Sequence, residues 1–117
     1  MFPKVYRTIR TPAVIAIVGD RVSGHGKAPQ TEPRPYITWQ IVIGDPYSNL
    51  SSAPGGDFTT VQIDCYHKDE AGAHALALAV RAALDAELIV NRVAIDTIDS
   101  DTQLYRVGLE ADFIDQR

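Results

Sequence analysis

The sequence predicts an α+β fold. It predicts a single small domain with a mainly antiparallel four-stranded sheet, a possible short extra strand, and helices packed on one face. Four segments alternate apolar and polar residues with the period of two that half-buried strands require, and an alanine-rich segment between them has helical periodicity. The 117 residues, of which 45% are hydrophobic, suffice for one core, so one domain over residues 1–117 is expected.

Two short helices and a short strand are predicted at the N-terminus. Residues 2–10 place apolar side chains on one helical face. Thr11 and Pro12 are typical of an N-cap and a first helical position, and they predict a second helix that ends at Gly19. A single kinked helix is the alternative. Residues 21–23 then form the possible short strand.

The central part of the chain has the clearest alternation. Residues 35–44 and 58–66 each predict a strand rich in β-forming residues. Their apolar face is expected in the core and carries Ile37, Trp39, Ile41 and Ile43 in the first strand and Val61, Ile63 and Cys65 in the second. Their polar face carries Tyr36, Thr38, Gln40, Thr60, Gln62, Asp64 and Tyr66. This face is either an ordinary solvated surface or one that meets another subunit or lines a lumen.

A long helix and a hairpin are predicted after these strands. Asp69 is a suitable N-cap for a helix to about Ala86. Its expected core-facing stripe is Ala73, Leu76, Ala77, Val80, Ala83 and Leu84. Strands over about 88–98 and 104–114 follow, joined by a tight turn at 99–102 into an antiparallel hairpin. In the last strand Tyr105, Val107, Leu109, Ala111 and Phe113 share one face.

Two connections are longer than a compact domain needs, and such loops are often functional. Segment 24–35 holds three prolines and two glycines, and segment 45–57 is rich in proline, glycine and small polar residues. Tyr47 and Leu50 are the best anchors for a protein contact, since they are large and apolar in polar loops. The predicted interaction residues are His25, Lys27 and Gln30 in the first loop and Asp45, Pro46, Tyr47, Asn49, Leu50 and Asp57 in the second.

The charge balance argues against several classes of protein. Eleven Lys and Arg against fifteen Asp and Glu give a net charge of −4, which disfavours sequence-independent binding to nucleic acid or to an anionic membrane. No secretion signal or apolar run of membrane-spanning length is visible, so a soluble intracellular protein is expected.

Cys65 with His25, His67 and His74 is the one combination that hints at a nucleophile or metal site. Cys65 is predicted to face the core, where a thiol is inert. His67 is expected in the turn before the long helix, and His74 on a helix face away from the core. No metal-ligand spacing occurs. We therefore expect no catalytic residues, metal or cofactor, with a small Cys/His enzyme as a less favoured alternative.

Short motifs, in this order and spacing, resemble the phage tail-completion family across nearly the whole chain. They are GDRV at 19–22, HG at 25–26, AP at 28–29, PYITWQ at 35–40, NL at 49–50, VQIDCY at 61–66, the alanine-rich helix, and LYRV at 104–107.

The resemblance implies a tail terminator, or head-to-tail joining protein, of a long-tailed phage or prophage. Such a protein forms a ring, usually of six copies, that caps the head-proximal end of the tail tube in the virion after assembly in the host cytoplasm. The implied partners are further copies of itself, the tail tube protein and the head-tail connector protein, and DNA passes through the pore without specific binding. Another phage connector component or a dimeric binding module is the alternative.

Overall fold

The computed structural model of the protein describes residues 4–24, 35–42 and 56–116. Three helices and five strands are formed in this part of the chain. In order they are α1 (Val5–Ile9), α2 (Pro12–Val18), β1 (Val22–Gly24), β2 (Tyr36–Val42), β3 (Gly56–His67), α3 (Glu70–Ala86), β4 (Val90–Ile98) and β5 (Tyr105–Gln116).

The five strands form one mixed sheet in the order β1-β2-β3-β5-β4. β2, β3, β5 and β4 pair antiparallel, whereas β1 pairs parallel with β2. The predicted antiparallel sheet is therefore confirmed, and the possible extra strand exists as a parallel edge strand. Since the connection at 25–34 separates β1 from β2, the chain has the length that a parallel pairing requires.

The helices cover one face of this sheet, which we call the inner face. α3 packs on β3, β5 and β4, and α1 and α2 pack on α3. The buried residues of α3 are those of the predicted stripe: Ala73, Leu76, Ala77, Val80, Ala83 and Leu84. Beneath them Ile63 of β3 lies opposite Leu109 of β5, and both are fully buried. The helical and strand periodicities of the sequence thus place one continuous core between the layers.

The N-terminal helices are separate because the chain is capped between them. The Thr11 side chain accepts a hydrogen bond from the Val14 N–H at 3.5 Å, with Pro12 in the first helical position. Gly19 ends α2 with φ of +59°, a conformation that glycine adopts without the strain a side chain would bring. The two-helix prediction is confirmed over the kinked helix.

Two boundary predictions around β3 were wrong. The strand begins at Gly56, so Asp57, predicted in the loop, lies in β3 opposite Asp115. It also continues through His67, which was predicted in a turn. Asp69 precedes α3 as predicted, but its side chain makes no capping bond. Instead, its backbone N–H donates to Nδ1 of His67 at 3.0 Å, so the histidine organises this junction.

The β4–β5 turn is held by Asp99. Its Oδ2 accepts from the Thr102 N–H at 3.0 Å and from the Thr102 hydroxyl at 2.7 Å. Both hydrogen bonds lower the pKa of Asp99, and the bond from the Thr102 hydroxyl has the larger effect. Gln103, which follows Thr102 in the chain, has a positive φ of 62°. The predicted turn at 99–102 is therefore a side-chain-stabilised turn that joins an antiparallel hairpin.

Gly108 of β5 has no side chain, and two neighbouring residues fill the space beside its Cα. A Cβ at this position would lie 2.8 Å from Oδ1 of Asp64 and 3.2 Å from Cβ of Ile95. Because Gln62 also holds the Asp64 carboxylate, the carboxylate is not free to move aside. We expect Gly108→Ala to lower the free energy of unfolding by about 1–3 kcal/mol, as overpacking does. Urea denaturation followed by circular dichroism measures this, and a variant as stable as the parent would contradict it.

Candidate functional site

Most of the residues predicted to make protein contacts lie outside the described residues. These are His25, Lys27, Gln30, Asp45, Pro46, Tyr47, Asn49 and Leu50. The backbone of Asp57 is described, within β3. The described surface that bears on the function is therefore the polar face of the sheet, opposite the helices, which we call the outer face.

The outer face carries both exposed and buried polar side chains. Thr38 is 3% exposed and Asp64 is 5% exposed, although both are polar and were predicted on this face. They lie opposite each other on β2 and β3. Because these two side chains are buried, they need hydrogen-bond partners within the protein.

The partner of Asp64 is Arg106 on β5. The Arg106 guanidinium donates to Oδ2 of Asp64 at 3.2 Å, and the Gln62 amide donates to both oxygens of the same carboxylate, each at 3.2 Å. Burial is the largest single effect and would lower the pKa of Arg106, but the hydrogen bond to Asp64 and the charge of that carboxylate, with smaller contributions from Tyr66 and Asp99, together raise the pKa. Nε of Arg106 is buried and has no hydrogen-bond partner among the described residues.

Two tyrosines continue this cluster toward β2. The rings of Tyr36 and Tyr66 stack with their centroids 4.6 Å apart and their planes 19° from parallel. Burial, reinforced by the Asp64 carboxylate, raises the pKa of Tyr66 to about 12. Burial is also the main cause of a raised pKa at Tyr36, and the charge of Asp99 raises it further. Both phenols therefore stay neutral at physiological pH and add no charge to the outer face.

A second ionic cluster crosses β4, β5 and β3. Nε of Arg92 lies 3.0 Å from Glu110 and its Nη1 lies 3.2 Å from Asp112, which also accepts from the Thr60 hydroxyl at 3.0 Å. The hydrogen bond to Asp112 is the main cause of a raised pKa at Arg92. One arginine thus links two carboxylates on the neighbouring strand.

The two clusters give the outer face a mildly acidic balance. Its described side chains include three carboxylates, on Asp64, Glu110 and Asp112, against the guanidinium groups of Arg92 and Arg106. Both cations are held by carboxylates of the same chain.

Sequence reasoning did not identify Arg92 and Arg106, the two cations of this face. The alternation of β5 could have placed Arg106 beside Asp64, since Tyr105 and Val107 were already assigned to the inner face. Arg92 was harder to place. A register shift between Val93 and Ile95 reverses the alternation of β4, and the sequence carries no clear signal for it.

Cys65, His67 and His74 each lie in a different environment, and His25 lies outside the described residues. Cys65 is fully buried, and burial, followed by the charge of Asp64, raises the pKa of its thiol. His67 adjoins Gly72 and accepts from Asp69, whereas His74 is exposed and pairs with Asp96 at 2.9 Å. In the part of the chain that the structure describes, no three His, Cys, Asp or Glu side chains come together as a metal site would require.

The buried thiol gives a direct prediction. Native protein at pH 8 is expected to react with Ellman's reagent far more slowly than protein unfolded in guanidinium chloride, which should release one equivalent per chain. The reason is that Cys65 is inaccessible and its pKa is raised by burial. Rapid reaction of the native protein would contradict the burial and favour the enzyme alternative.

No described helix is both long enough and apolar enough to cross a membrane.

Comparison with known proteins places the chain in a family. The family described as "Tail completion protein gp17" matches residues 4–114. A chain in the solved structure of the virion of a native gene transfer agent particle has a TM-score of 0.64 to this chain at 19% identity, over 97% of this chain and 92% of that one. No curated protein matches. At this identity the structural likeness shows a shared fold, whereas the family match covers all the described elements up to the last strand. The chain therefore belongs to the phage tail completion protein gp17 family and is a structural protein of the phage tail.

Proposed function

We propose that this protein completes the phage tail by forming a ring, of six copies, on the head-proximal end of the tail tube. The ring ends tube growth and offers a surface to the head-tail connector protein. The observation that carries the proposal is the family match over residues 4–114. Residues 1–117 act as one domain in this ring, and no catalytic step is required of them.

The outer face supports a role next to DNA. Its cations are held in ion pairs with Asp64, Glu110 and Asp112, and its described charges are slightly acidic. A lumen wall of this kind lets a polyanion pass without holding it, because free cations are what displace counterions from DNA. We therefore propose that the outer face, and not the helical layer, lies toward the channel.

The two loops supply the contacts to tube, connector or neighbour in this proposal. The loop residues are those predicted from the sequence, His25, Lys27, Gln30, Asp45, Pro46, Tyr47, Asn49 and Leu50, and Asp57 at the start of β3 joins them. Tyr47 and Leu50 are the proposed anchors, since large apolar groups dominate the energetics of such contacts.

Tube assembly tests the function. Tail tube protein from the same phage is polymerised with and without this protein, and tube lengths are measured by negative-stain electron microscopy. The proposal expects growth to stop when the protein is added at the start. Lengths that are the same with and without it, at all ratios, would show that it is another connector component or binding module.

Matched variants test the anchors. Tyr47→Ala and Leu50→Ala are expected to weaken termination, whereas Tyr6→Ala and Leu88→Ala are expected to leave it unchanged. The control residues are also exposed, at 39% for Tyr6 and 92% for Leu88, and they lie outside the two loops. Equal effects of loop and control variants would remove the case for Tyr47 and Leu50.

A further inference from the structure

The helical layer covers the edge strand β4 only in part. Val93 on β4 and Leu109 on β5 are opposite each other on the inner face. Leu109 is fully buried under the helices, whereas Val93 is 50% exposed. On the α3 surface nearest this strand Leu78 is 66% exposed. Val93 is therefore a partly exposed apolar residue of the sheet that lies beside an exposed apolar residue of the helix, and Asn91 and Asp96 flank it on the same face of β4.

A groove of about 270 Å³ runs between α3 and β4. Its apolar part is lined by Ala77, Leu78, Val93 and Val107. Its polar residues are His74, Arg81 and Asp96.

These polar side chains already have hydrogen-bond partners within the subunit. His74 pairs with Asp96 at 2.9 Å, and Nε of Arg81 donates to Oδ1 of Asn91 at 2.7 Å. These contacts satisfy hydrogen bonds within the subunit, so the part of the groove that an occupant has to cover is the apolar lining. The best complement to this groove is therefore an apolar element that carries no charge of its own.

The same chain presents such an element at its opposite flank. The sequence of α2 is PAVIAIV, with no charged or polar side chain in its seven residues. Val14 and Val18 are buried, while Pro12, Ala13 and Ala16 are exposed. A charge-free helix of this kind normally has both sides covered.

The position of α2 separates it from the groove. α2 leads through a short turn into β1, which is at the other edge of the sheet from β4. Arg21 fixes this junction by donating to the carbonyls of Ile17 and Pro35. One subunit therefore carries an uncovered groove on one flank and an uncharged helix on the other.

We propose that α2 of one copy lies in the groove between α3 and β4 of the next copy. The helical layer then continues across the subunit boundary, with Leu78 of one copy between the small side chains Ala13 and Ala16 of its neighbour. The contact joins two different patches, so it repeats head to tail and can close into a ring. This inference rests on the proposed ring and assigns its subunit interface.

Cysteine cross-linking tests the contact directly. Ala16→Cys protein is mixed with Leu78→Cys protein and treated with a short bismaleimide, and the native thiol stays silent because Cys65 is fully buried. The expected result is a cross-linked dimer from this mixture, and ladders of higher oligomers from the double variant. Ala16→Cys mixed with Ser100→Cys, which is exposed in the β4–β5 turn, is expected to give only background.

Each single variant alone supplies a further control. Dimers from Leu78→Cys protein alone would indicate a symmetric α3–α3 contact and overturn the proposal. Cross-linking of the Ser100→Cys pair as efficient as that of the Leu78→Cys pair would overturn it too, because it would reflect random collision.

The reaction is run on concentrated protein and on protein mixed with tail tubes. These two conditions test the proposed subunit contact and the proposed terminator function independently of each other. Capped tubes without the Ala16–Leu78 cross-link would overturn the contact and leave the ring in place. The cross-link without capping would support the contact and overturn the terminator function. Absence of the cross-link under both conditions overturns the contact.

Matched charge variants give a second readout. Leu78→Glu places a carboxylate in the groove and is expected to abolish the cross-link between Ala16→Cys and a cysteine at Val93. Leu88→Glu, at a residue that is 92% exposed and outside the groove lining, is expected to leave it intact. Loss of the cross-link in both variants, or in neither, would contradict the assignment.

Discussion

Replacing Arg106 with leucine is expected to lower the free energy of unfolding by about 3 kcal/mol, because it leaves a buried carboxylate without its cation. The Asp64 side chain is 6% exposed, and Arg106 is its ion-pair partner at 3.2 Å. The Gln62 amide remains as a hydrogen-bond donor, but it carries no charge to balance the carboxylate. Urea denaturation followed by circular dichroism measures the loss.

A double variant separates the lost charge from the lost packing. Asp64→Asn removes the unpaired charge, so Arg106→Leu with Asp64→Asn is expected to be more stable than Arg106→Leu alone. Removing both partners of a buried pair costs less than removing one. If the double variant is no more stable than Arg106→Leu, the ion pair is not what stabilises this end of the sheet.

Leu76→Ala is expected to cost about 2–5 kcal/mol, whereas Leu78→Ala on the same helix is expected to change stability by less than about 0.5 kcal/mol. Leu76 is fully buried against the sheet, and Leu78 is 66% exposed. The two residues have the same side chain and the same helical context, so the difference isolates burial in the core. Chemical denaturation of both monomeric variants provides the comparison.

The outcome of this pair also bears on the groove. Similar losses from both variants would mean that Leu78 packs within its own subunit, which would contradict the exposed groove. A large loss from Leu76→Ala alone would leave Leu78 available for a neighbouring copy.

Local patterns were enough to predict much of this fold. The stripe from Ala73 to Leu84 was predicted residue by residue, because one helix face packing on a sheet imposes a strict period. The cap at Thr11 and the stop at Gly19 were also readable, since both depend on neighbouring backbone groups alone. In the same way, Val61, Ile63 and Cys65 on alternate positions identified the inner face.

Features that depend on distant parts of the chain were less predictable. The burial of Asp64 depends on Arg106, forty-two positions away in the sequence, and on the register between β3 and β5. The extension of β3 to His67 depends on pairing with Tyr105. The partial exposure of Val93 on β4 depends on how the helices pack on the sheet, which local periodicity does not specify.

The most direct test of the central claim is electron cryo-microscopy of tail tube ends after assembly with this protein. We predict one extra ring of density, with the rotational symmetry of the tube, on one end of each terminated tube and on neither end of tubes assembled without the protein. Tubes with bare ends in the presence of the protein, or protein bound along the tube walls, would contradict a role as the ring that completes the tail.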